Sequence, residues 1–359
     1  MVLDFAKEAI KNTDTHSINF DELKAGKANI KVIGVGGCGC NAITWLFNKG
    51  INGATVYGAN TDALHLSVTK ADEKILLGRE LTRGLGAGGV ATRGREAAKE
   101  SLSELKKALS ASDMVFVIAG MGGGTGTGAA PVVAQIAKET GSIVIGVVTM
   151  PFEAEKARID KAEFGLQELR EVCDTCIVLD NNRLVDIAGQ LPIEQAFAVA
   201  NELVSTMIKG IVETITLPSL INLDYADVST IMRGGGVAVI GIGEADTQNR
   251  VMEAVNQALT HPLLDVDYRG ATGALIHITC GPDLQLHEFD IIGRTVSENL
   301  SHDAQVIIGA IINKEFVGKV RVITIMTGVK SPYVLGKASE EHATAASKEM
   351  SDLGIEFWR

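Results

Sequence analysis

The segment that most constrains this chain is residues 122–128, GGGTGTG, which follows an apolar run and precedes a helical pattern. Five glycines and two threonines in seven positions are too specific for a generic flexible turn. Glycine lets main-chain N–H groups approach a ligand closely, and a helix N-terminus adds the positive end of its dipole. We therefore expect this turn to bind an anionic group such as a phosphate.

Two further glycine-rich turns lie at 34–39 and 86–89, and three such turns could surround a polyphosphate with main-chain donors. The pattern GxxxxGK[ST] does not occur in the sequence, so the P-loop class is excluded. The first turn alone also fits GxGxxG, with Asp62 as a candidate ribose ligand. That single motif keeps an NAD-dependent oxidoreductase open as an alternative.

Short Val/Ile-rich runs alternate with helical patterns from residue 28 onward, which is typical of an α/β fold with a mostly parallel sheet. We expect helices near 41–48, 92–109, 130–139, 155–172, 250–259 and 288–300, and a long one over 193–217. Strands are expected at 30–35, 55–59, 74–77, 114–119, 143–148, 175–179, 237–242, 274–279, 305–312 and 320–326. The predicted organisation is an extension (1–27), a Rossmann-like domain (28–191), a connecting helix (192–217), a smaller α/β domain (218–329) and a tail (330–359).

The charge balance excludes several partners. With 33 Lys and Arg against 44 Asp and Glu, the formal net charge is −11, and no basic block stands out, so we expect no nucleic acid partner. No apolar run is long enough to span a bilayer, so direct membrane insertion is not expected. Five cysteines in a chain of this length indicate a reducing compartment, and we expect a cytoplasmic protein.

The cysteine spacings and the aromatic residues carry weaker signals. Cys38-x-Cys40 and Cys173-x-x-Cys176 could indicate zinc or a redox pair, but their placement at turns does not resemble a zinc knuckle. The seven histidines are scattered, and none is expected to be a ligand. Trp45 lies in an apolar helical pattern and is expected in the core.

Several motifs of this sequence together resemble those of a known protein superfamily. GGGTGTG and GGCGCN (36–41) are joined by NTD (60–62), GAGG (86–89), PF (151–152), NNRL (181–184) and NLDYAD (222–227). Together these motifs resemble the tubulin and FtsZ superfamily, most closely FtsZ, the prokaryotic cell-division GTPase, over residues 28–329. The resemblance implies a GTPase domain, a central helix and a smaller domain, in a cytoskeletal protein that assembles head to tail into filaments.

The resemblance also implies a GTP or GDP site with Mg²⁺ carried by the nucleotide rather than by side chains. The glycine turns would hold phosphates, Glu155 and Arg158 would lie at the ribose and phosphate edge, and Asn181 and Asn201 would contact guanine. Phe197 would stack on the base, although from the residues alone it is a plain core aromatic. The full implied set is Gly36, Gly37, Cys38, Asn41, Asn60, Asp62, Gly86, Gly88, Gly89, Gly122, Gly123, Gly124, Thr125, Gly126, Thr127, Glu155, Arg158, Asn181, Phe197 and Asn201.

Catalysis, by the same resemblance, belongs to Asn222, Asp224 and Asp227, acting on the nucleotide of an adjacent subunit. Spacing alone instead favours a solvated loop in which Asp224 caps the next helix. Phosphoryl transfer to water needs a positioned water and charge neutralisation rather than a covalent nucleophile, which suits two carboxylates. Hydrolysis would then require the filament. A superfamily member for cell shape rather than division stays open.

The tail after Val329 is about 30 residues long and ends in LGIEFWR. Its shortness resembles archaeal members of the family. We expect a membrane-tethering adaptor to bind near Phe357 and Trp358, which would place the protein at the division site beneath the membrane; packing of these aromatics on the body is the alternative.

Overall fold

The computed structural model describes residues 28–216, 221, 224–233, 236–260, 268–298 and 300–329. The predicted extension (1–27), the tail (330–359) and Asn222 lie outside the described residues.

Ten strands form one sheet in the order β3-β2-β1-β4-β5-β6-β7-β10-β8-β9. All ten strands that the sequence predicts are present. Their bounds are β1 Ile30–Val35, β2 Ala54–Asn60, β3 Glu73–Leu76, β4 Met114–Gly120, β5 Ile143–Met150, β6 Thr175–Asp180, β7 Gly236–Ala245, β8 Gly273–Cys280, β9 Gln305–Ile312 and β10 Val320–Thr327.

The sheet changes character along its length. The first six strands pair in parallel, and β1 is buried along its whole length, as its unbroken apolar run predicts. Three parallel pairs between β6 and β7 continue the sheet into the C-terminal part, where β10 runs antiparallel to both β7 and β8. The expected α/β class is therefore confirmed, with a mixed rather than parallel second part.

Twelve α-helices and two short 3₁₀ helices (Glu153–Arg158 and Lys314–Phe316) occur in the described residues. The α-helices are α1 Gly36–Lys49, α2 Ala63–Val68, α3 Arg79–Thr82, α4 Ala91–Glu100, α5 Leu102–Leu109, α6 Thr125–Glu139, α7 Ile159–Val172, α8 Asn181–Ala188, α9 Ile193–Thr216, α10 Tyr225–Met232, α11 Arg250–Leu259 and α12 Leu286–Ser297.

Several predictions about the helices need correction. The helix expected at 155–172 is α-helical only from Ile159, because Lys156 in the preceding 3₁₀ helix has a non-helical conformation. The single helix expected at 92–109 is two helices, because Ser101 leaves the helical conformation and its Oγ accepts the N–H of Gly78 at 3.0 Å. Trp45 is not in the core: it is 38% exposed, and its indole Nε1 donates to Glu202 Oε2 at 2.6 Å. Sequence periodicity did not predict α2, α3, α8 or α10.

Helix α9 joins the two parts of the molecule. It has 24 residues, hence a length of roughly 36 Å at the usual rise per residue. Val204, Ile208 and Ile211 are buried in one cluster that includes Met114 of β4 and Ile325 of β10. The apolar face of α9 is therefore buried in one cluster with strands from both the N-terminal and the C-terminal parts of the sheet.

Candidate functional site: a nucleotide cleft

Two adjoining cavities open where the first strands end. The first, about 360 Å³, is lined by residues at the carboxyl ends of β1, β4, β5 and β6, among them Val35, Gly120, Thr149 and Asn181. The second, about 460 Å³, lies beside the end of β2. Both have sizes usual for small-molecule sites, and the carboxyl edge of a parallel sheet is where such folds bind ligands.

The two cavities are one continuous cleft, because both are lined by Gly37, Gly124, Thr125 and Arg158. The first cavity also contains the following residues of the expected set: Cys38, Gly123, Gly126, Glu155, Asn181 and Phe197. The second also contains Asn60, Asp62, Gly86, Gly88 and Gly89. The structure thus brings together segments that are far apart in the sequence.

Two helices begin at the floor of this cleft. Helix α1 starts at Gly36 and α6 at Thr125, both earlier than the sequence predicts, so the glycine turns themselves form the first helical turns. Neither N-terminus has a side-chain cap. The first N–H groups of a helix lack partners within the helix, so both N-termini can donate to an anion.

Glycine is required at the contact between these two N-termini. Gly36 has φ +75°, and a Cβ there would lie 2.9 Å from the backbone nitrogen of Gly126. A Cβ on Gly126 would lie 2.4 Å from the carbonyl oxygen of Gly120. A larger residue at position 36 would therefore force the two N-termini apart, and one at position 126 would force α6 away from the end of β4. This close packing holds the donors of α1 and α6 on one side of the cleft.

Hydroxyl and thiol groups link the turns to the strands. Cys38 Sγ lies 3.4 Å from Thr149 Oγ1, and Thr61 Oγ1 lies 2.6 Å from Thr125 Oγ1. Cys40 is fully buried, its thiol donates to main-chain carbonyls, and burial raises its pKa to about 11. Cys40 is therefore a protonated structural thiol, which argues against a metal or redox pair with Cys38.

The far end of the first cavity is aromatic. Phe197 of α9 is 41% exposed and makes an edge-to-face contact with Phe152, with ring centroids 6.1 Å apart. Asn181 lies beside them as the first residue of α8. Phe197 is thus a cavity residue rather than a core aromatic. Arg158 forms an ion pair with Glu155 at 2.5 Å on the cavity rim.

Five residues of the expected set are outside the cavity linings. Gly36 and Gly122 have positive φ, which allows the chain to turn at these positions. Asn201 lies on α9, one helical turn beyond Phe197. Asn41 accepts a hydrogen bond from His65 at the edge of the second cavity. Thr127 is buried, its Oγ1 has no partner in the described residues, and its methyl group packs against Gly165. Thr127 therefore does not line the cleft.

Several cavity residues were not expected from the sequence. His65 lines the second cavity, while Met121, Thr149 and Phe152 line the first. Phe152 carried a signal, since it stands in the motif PF. His65 follows the motif NTD by three positions, but the scattered histidines gave no expectation of a ligand. Nothing near Thr149 in the sequence indicates its contact with Cys38.

Asp224 and Asp227, the described acidic residues of the motif 222–227 (the acidic loop), lie near the amino ends of the strands, opposite the cleft. Tyr225 Oη donates to the carbonyl of Asp113, the residue before β4, at 2.8 Å, whereas the cleft begins where β4 ends. At the other end of α10, Thr175 Oγ1 donates to the carbonyl of Met232 at 2.6 Å. Asp224 caps α10 by accepting the N–H of Asp227 at 2.7 Å. Asp224 can therefore cap α10 and still be a candidate catalytic residue, because it remains exposed.

Comparison with known proteins agrees with this architecture. The model of the Tubulin/FtsZ family GTPase domain matches residues 29–189, and that of the FtsZ family C-terminal domain matches 236–330. Cell division protein FtsZ 2 of Methanocaldococcus jannaschii is 53% identical, covering 99% of this chain and 96% of its own. The Halobacterium salinarum FtsZ 2 is 52% identical, covering 91% and 84% respectively.

Solved structures show the same fold. An empty FtsZ dimer from M. jannaschii aligns with a TM-score of 0.82 and 48% identity, covering 90% of this chain and 92% of the other. A CetZ2 protofilament structure from Haloferax volcanii aligns with a TM-score of 0.73 at 22% identity, over 90% and 99%. The fold and the cleft therefore define a GTPase of the tubulin superfamily.

Within that superfamily, the chain belongs to the FtsZ family of cell division GTPases. The expected family, fold and GTPase activity are confirmed. Family membership decides against the NAD-dependent oxidoreductase, and relatives near 50% identity that are named as cell division proteins favour division over cell shape. Among the helices described, none combines the length and the apolar character needed to cross a membrane.

Proposed function

We propose that guanine nucleotide lies along the cleft with its base beside Asn181 and Phe197 and its terminal phosphate in the second cavity. The uncapped N-termini of α1 and α6 lie between these ends and are suited to the α- and β-phosphates. Gly86, Gly88 and Gly89 then face the terminal phosphate from the far side. Asn201, one helical turn beyond Phe197 on α9, is proposed as a further contact of the base.

Magnesium fits this arrangement as a partner of the phosphates. Mg²⁺ takes oxygen ligands, keeps several waters and usually needs only one or two protein carboxylates beside phosphates. Thr125 and Asp62 line the second cavity and supply a hydroxyl and a carboxylate oxygen. The hydroxyl of Thr125 is hydrogen-bonded to that of Thr61. When bound, the ion would neutralise charge on the terminal phosphates.

The catalytic carboxylates, we propose, come from the next subunit, so that the filament is head to tail. The observation that carries this proposal is the position of α10: Tyr225 fixes it to the start of β4, and the cleft lies at the end of that strand. Seven residues of strand separate them by roughly 20 Å. A chain therefore cannot apply its own Asp224 and Asp227 to its own nucleotide.

The division of labour between parts of the chain follows. Residues 28–191 hold the nucleotide, 192–217 form the connecting helix, and 218–329 carry the acidic loop that includes Asn222. In the filament, Asp224 and Asp227 orient the attacking water and accept its proton, while the helix N-termini hold the phosphates. The solved structure of an FtsZ dimer from M. jannaschii supports self-association.

Turnover against protein concentration tests the shared site. GTP hydrolysis per subunit should rise from near zero in dilute solution. Asp227→Asn should bind GTP normally as a monomer and lose about 10²- to 10⁴-fold in turnover, as expected when a general base is removed. Asp303→Asn, at a 98% exposed side chain, is the matched control. Turnover per subunit that is flat with concentration would refute the arrangement.

A mixing experiment sharpens this test. Asp227→Asn retains a working cleft, and a chain with a defective glycine turn retains a working acidic loop. Mixed filaments should regain part of the turnover at junctions where an intact loop meets an intact cleft. Absence of any recovery in filaments shown to contain both chains would place the catalytic carboxylate in the same chain as the nucleotide.

For cellular position, we propose that the protein is cytoplasmic and reaches the division site through an adaptor bound to the tail near Phe357 and Trp358. Support comes from the apolar pattern of Leu353, Ile355, Phe357 and Trp358. Deleting residues 355–359 should abolish recruitment to vesicles carrying the adaptor and leave polymerisation intact. Persistent recruitment of a less stable variant would instead assign these aromatics to the core.

A further inference from the structure

The second cavity contains an imidazole that the nucleotide chemistry described above does not use. His65 of α2 is partly buried and lies between two amides from different motifs. Its Nδ1 is 3.2 Å from Asn60 Nδ2, and its Nε2 is 3.1 Å from Asn41 Oδ1. Asn60 ends β2 and Asn41 lies in α1, so the ring joins two walls of the cavity.

The hydrogen-bond chemistry fixes the tautomer of this ring. An amide nitrogen can only donate, so Nδ1 of His65 must accept from Asn60. The proton is therefore on Nε2, which donates to Asn41 Oδ1. On its other side, Asn60 Oδ1 accepts the N–H of Asp62 at 3.3 Å, and Asp62 Oδ1 accepts the N–H of His65 at 2.9 Å. The orientation of both amides is thereby determined.

This orientation has a consequence for ligand binding. Because Asn41 Oδ1 is occupied by His65, the two N–H groups of Asn41 Nδ2 are directed to other acceptors. They have no hydrogen-bond partner among the described residues, and Asn41 is exposed. A reversed amide would present an oxygen there and repel an anion. His65 thus selects the donating face of Asn41 at the edge of the second cavity.

We infer that His65 is a positioning residue for the terminal phosphate, and that it strengthens the binding of nucleoside triphosphate but not that of diphosphate. This inference rests on the proposed function, in which only a triphosphate reaches the second cavity. The base and the first two phosphates lie in the part of the cleft that His65 does not line. Loss of His65 should therefore weaken GTP binding selectively.

The experiment compares GTP and GDP binding by full-length variants, using competition with a fluorescent nucleotide in dilute, magnesium-free solution. His65→Leu removes both ring hydrogen bonds, and we expect GTP affinity to fall roughly 10- to 100-fold, the range for a lost bond to a charged group. GDP affinity should stay within about twofold of the original. His65→Gln offers an oxygen to Asn60 and an N–H to Asn41 at a similar separation, so it should restore GTP affinity.

Control variants cover the other outcomes. His302→Leu, at a fully exposed histidine in the C-terminal part, should change neither affinity. Asn41→Leu, at an exposed position, should reproduce the selective loss even if His65→Leu fails to fold. Equal weakening of GTP and GDP by these variants, or no change in either, would overturn the inference. If the unaltered protein bound no guanine nucleotide in the cleft, the proposed function itself would fail instead.

Discussion

Replacing Gly126 by alanine should damage the cleft through packing. The new Cβ would lie 2.4 Å from the carbonyl oxygen of Gly120, and an ordinary contact needs at least 3.4 Å. One of the two backbone segments must therefore move by about 1 Å, and overpacking of this kind costs about 1–3 kcal/mol. Alanine in a helix recovers at most about 1 kcal/mol relative to glycine. A contact of 2.4 Å with a backbone oxygen belongs at the upper end of that range, about 2–3 kcal/mol, so the net loss is about 1–2 kcal/mol.

Gly123→Ala is the matched change without a clash. A Cβ on Gly123 meets no atom within 4 Å, its φ is not positive, and the residue lines the first cavity. Its stability should stay within about 0.5 kcal/mol of the original protein. If a phosphate passes close to this backbone, the added methyl group occupies the same space, and GTP affinity should fall by about tenfold or more.

Two measurements separate these effects: urea unfolding of the nucleotide-free protein and GTP affinity of the dilute monomer. Gly126→Ala should lower both the unfolding midpoint and the affinity, since Gly120 and Gly126 both line the cavity. Gly123→Ala should lower the affinity alone. Unchanged GTP binding by Gly123→Ala would show that no phosphate approaches this turn, and an unchanged midpoint for Gly126→Ala would refute the clash.

Two further predictions concern a buried histidine and a partly exposed tryptophan. Burial lowers the pKa of His277 from 6.5 to about 4, so the unfolded state binds more protons between these values and stability should fall with acidification across that window. In urea titrations at pH 7 and pH 5, His277→Asn should flatten this dependence; a slope equal to that of the original protein would contradict it. Glu202→Gln replaces the carboxylate that accepts from the indole of Trp45 by a neutral amide and removes the ion pair with Lys49, so the emission of Trp45 should change; unchanged emission would show that the contact is absent in solution.

The strands could be predicted because they are nearly continuous apolar runs. Residues 114–118, Met-Val-Phe-Val-Ile, are fully or almost fully buried, which is what a run without alternation requires in a parallel sheet. The starts of α1 and α6 could not be predicted in the same way. Glycine-rich sequence indicates a turn, and here the turn is also the first turn of a helix, because the contact of Gly36 with Gly126 leaves room only for glycine.

The site was predictable where its residues stand in motifs and not where tertiary contacts select them. The glycines of the three turns line the cleft largely as expected. Thr127 belongs to the same motif, but it lies in the third position of α6 and faces α7 rather than the cleft. The pairing of Cys38 with Thr149 spans 111 residues, and that of His65 with Asn41 spans 24. A local sequence pattern cannot predict contacts between residues that are so far apart in the chain.

The attachment of α10 explains why the acidic loop can serve a neighbour. Tyr225 ties the start of this helix to the residue before β4, and Thr175 ties its end to the first residue of β6. Val228 and Met232 are buried in the same cluster as Met114 of β4. Asp224 and Asp227 are thus fixed near the amino edge of the sheet whose carboxyl edge forms the cleft. If the loop acts on a neighbour's nucleotide, as we propose, the two copies stack along the strand direction. The amino edge of the sheet in one copy then meets the carboxyl edge of the sheet in the next. The geometry of hydrolysis is then set by the length of β4 and the docking of α10, and any change that loosens α10 should reduce turnover in the filament without weakening GTP binding by the monomer.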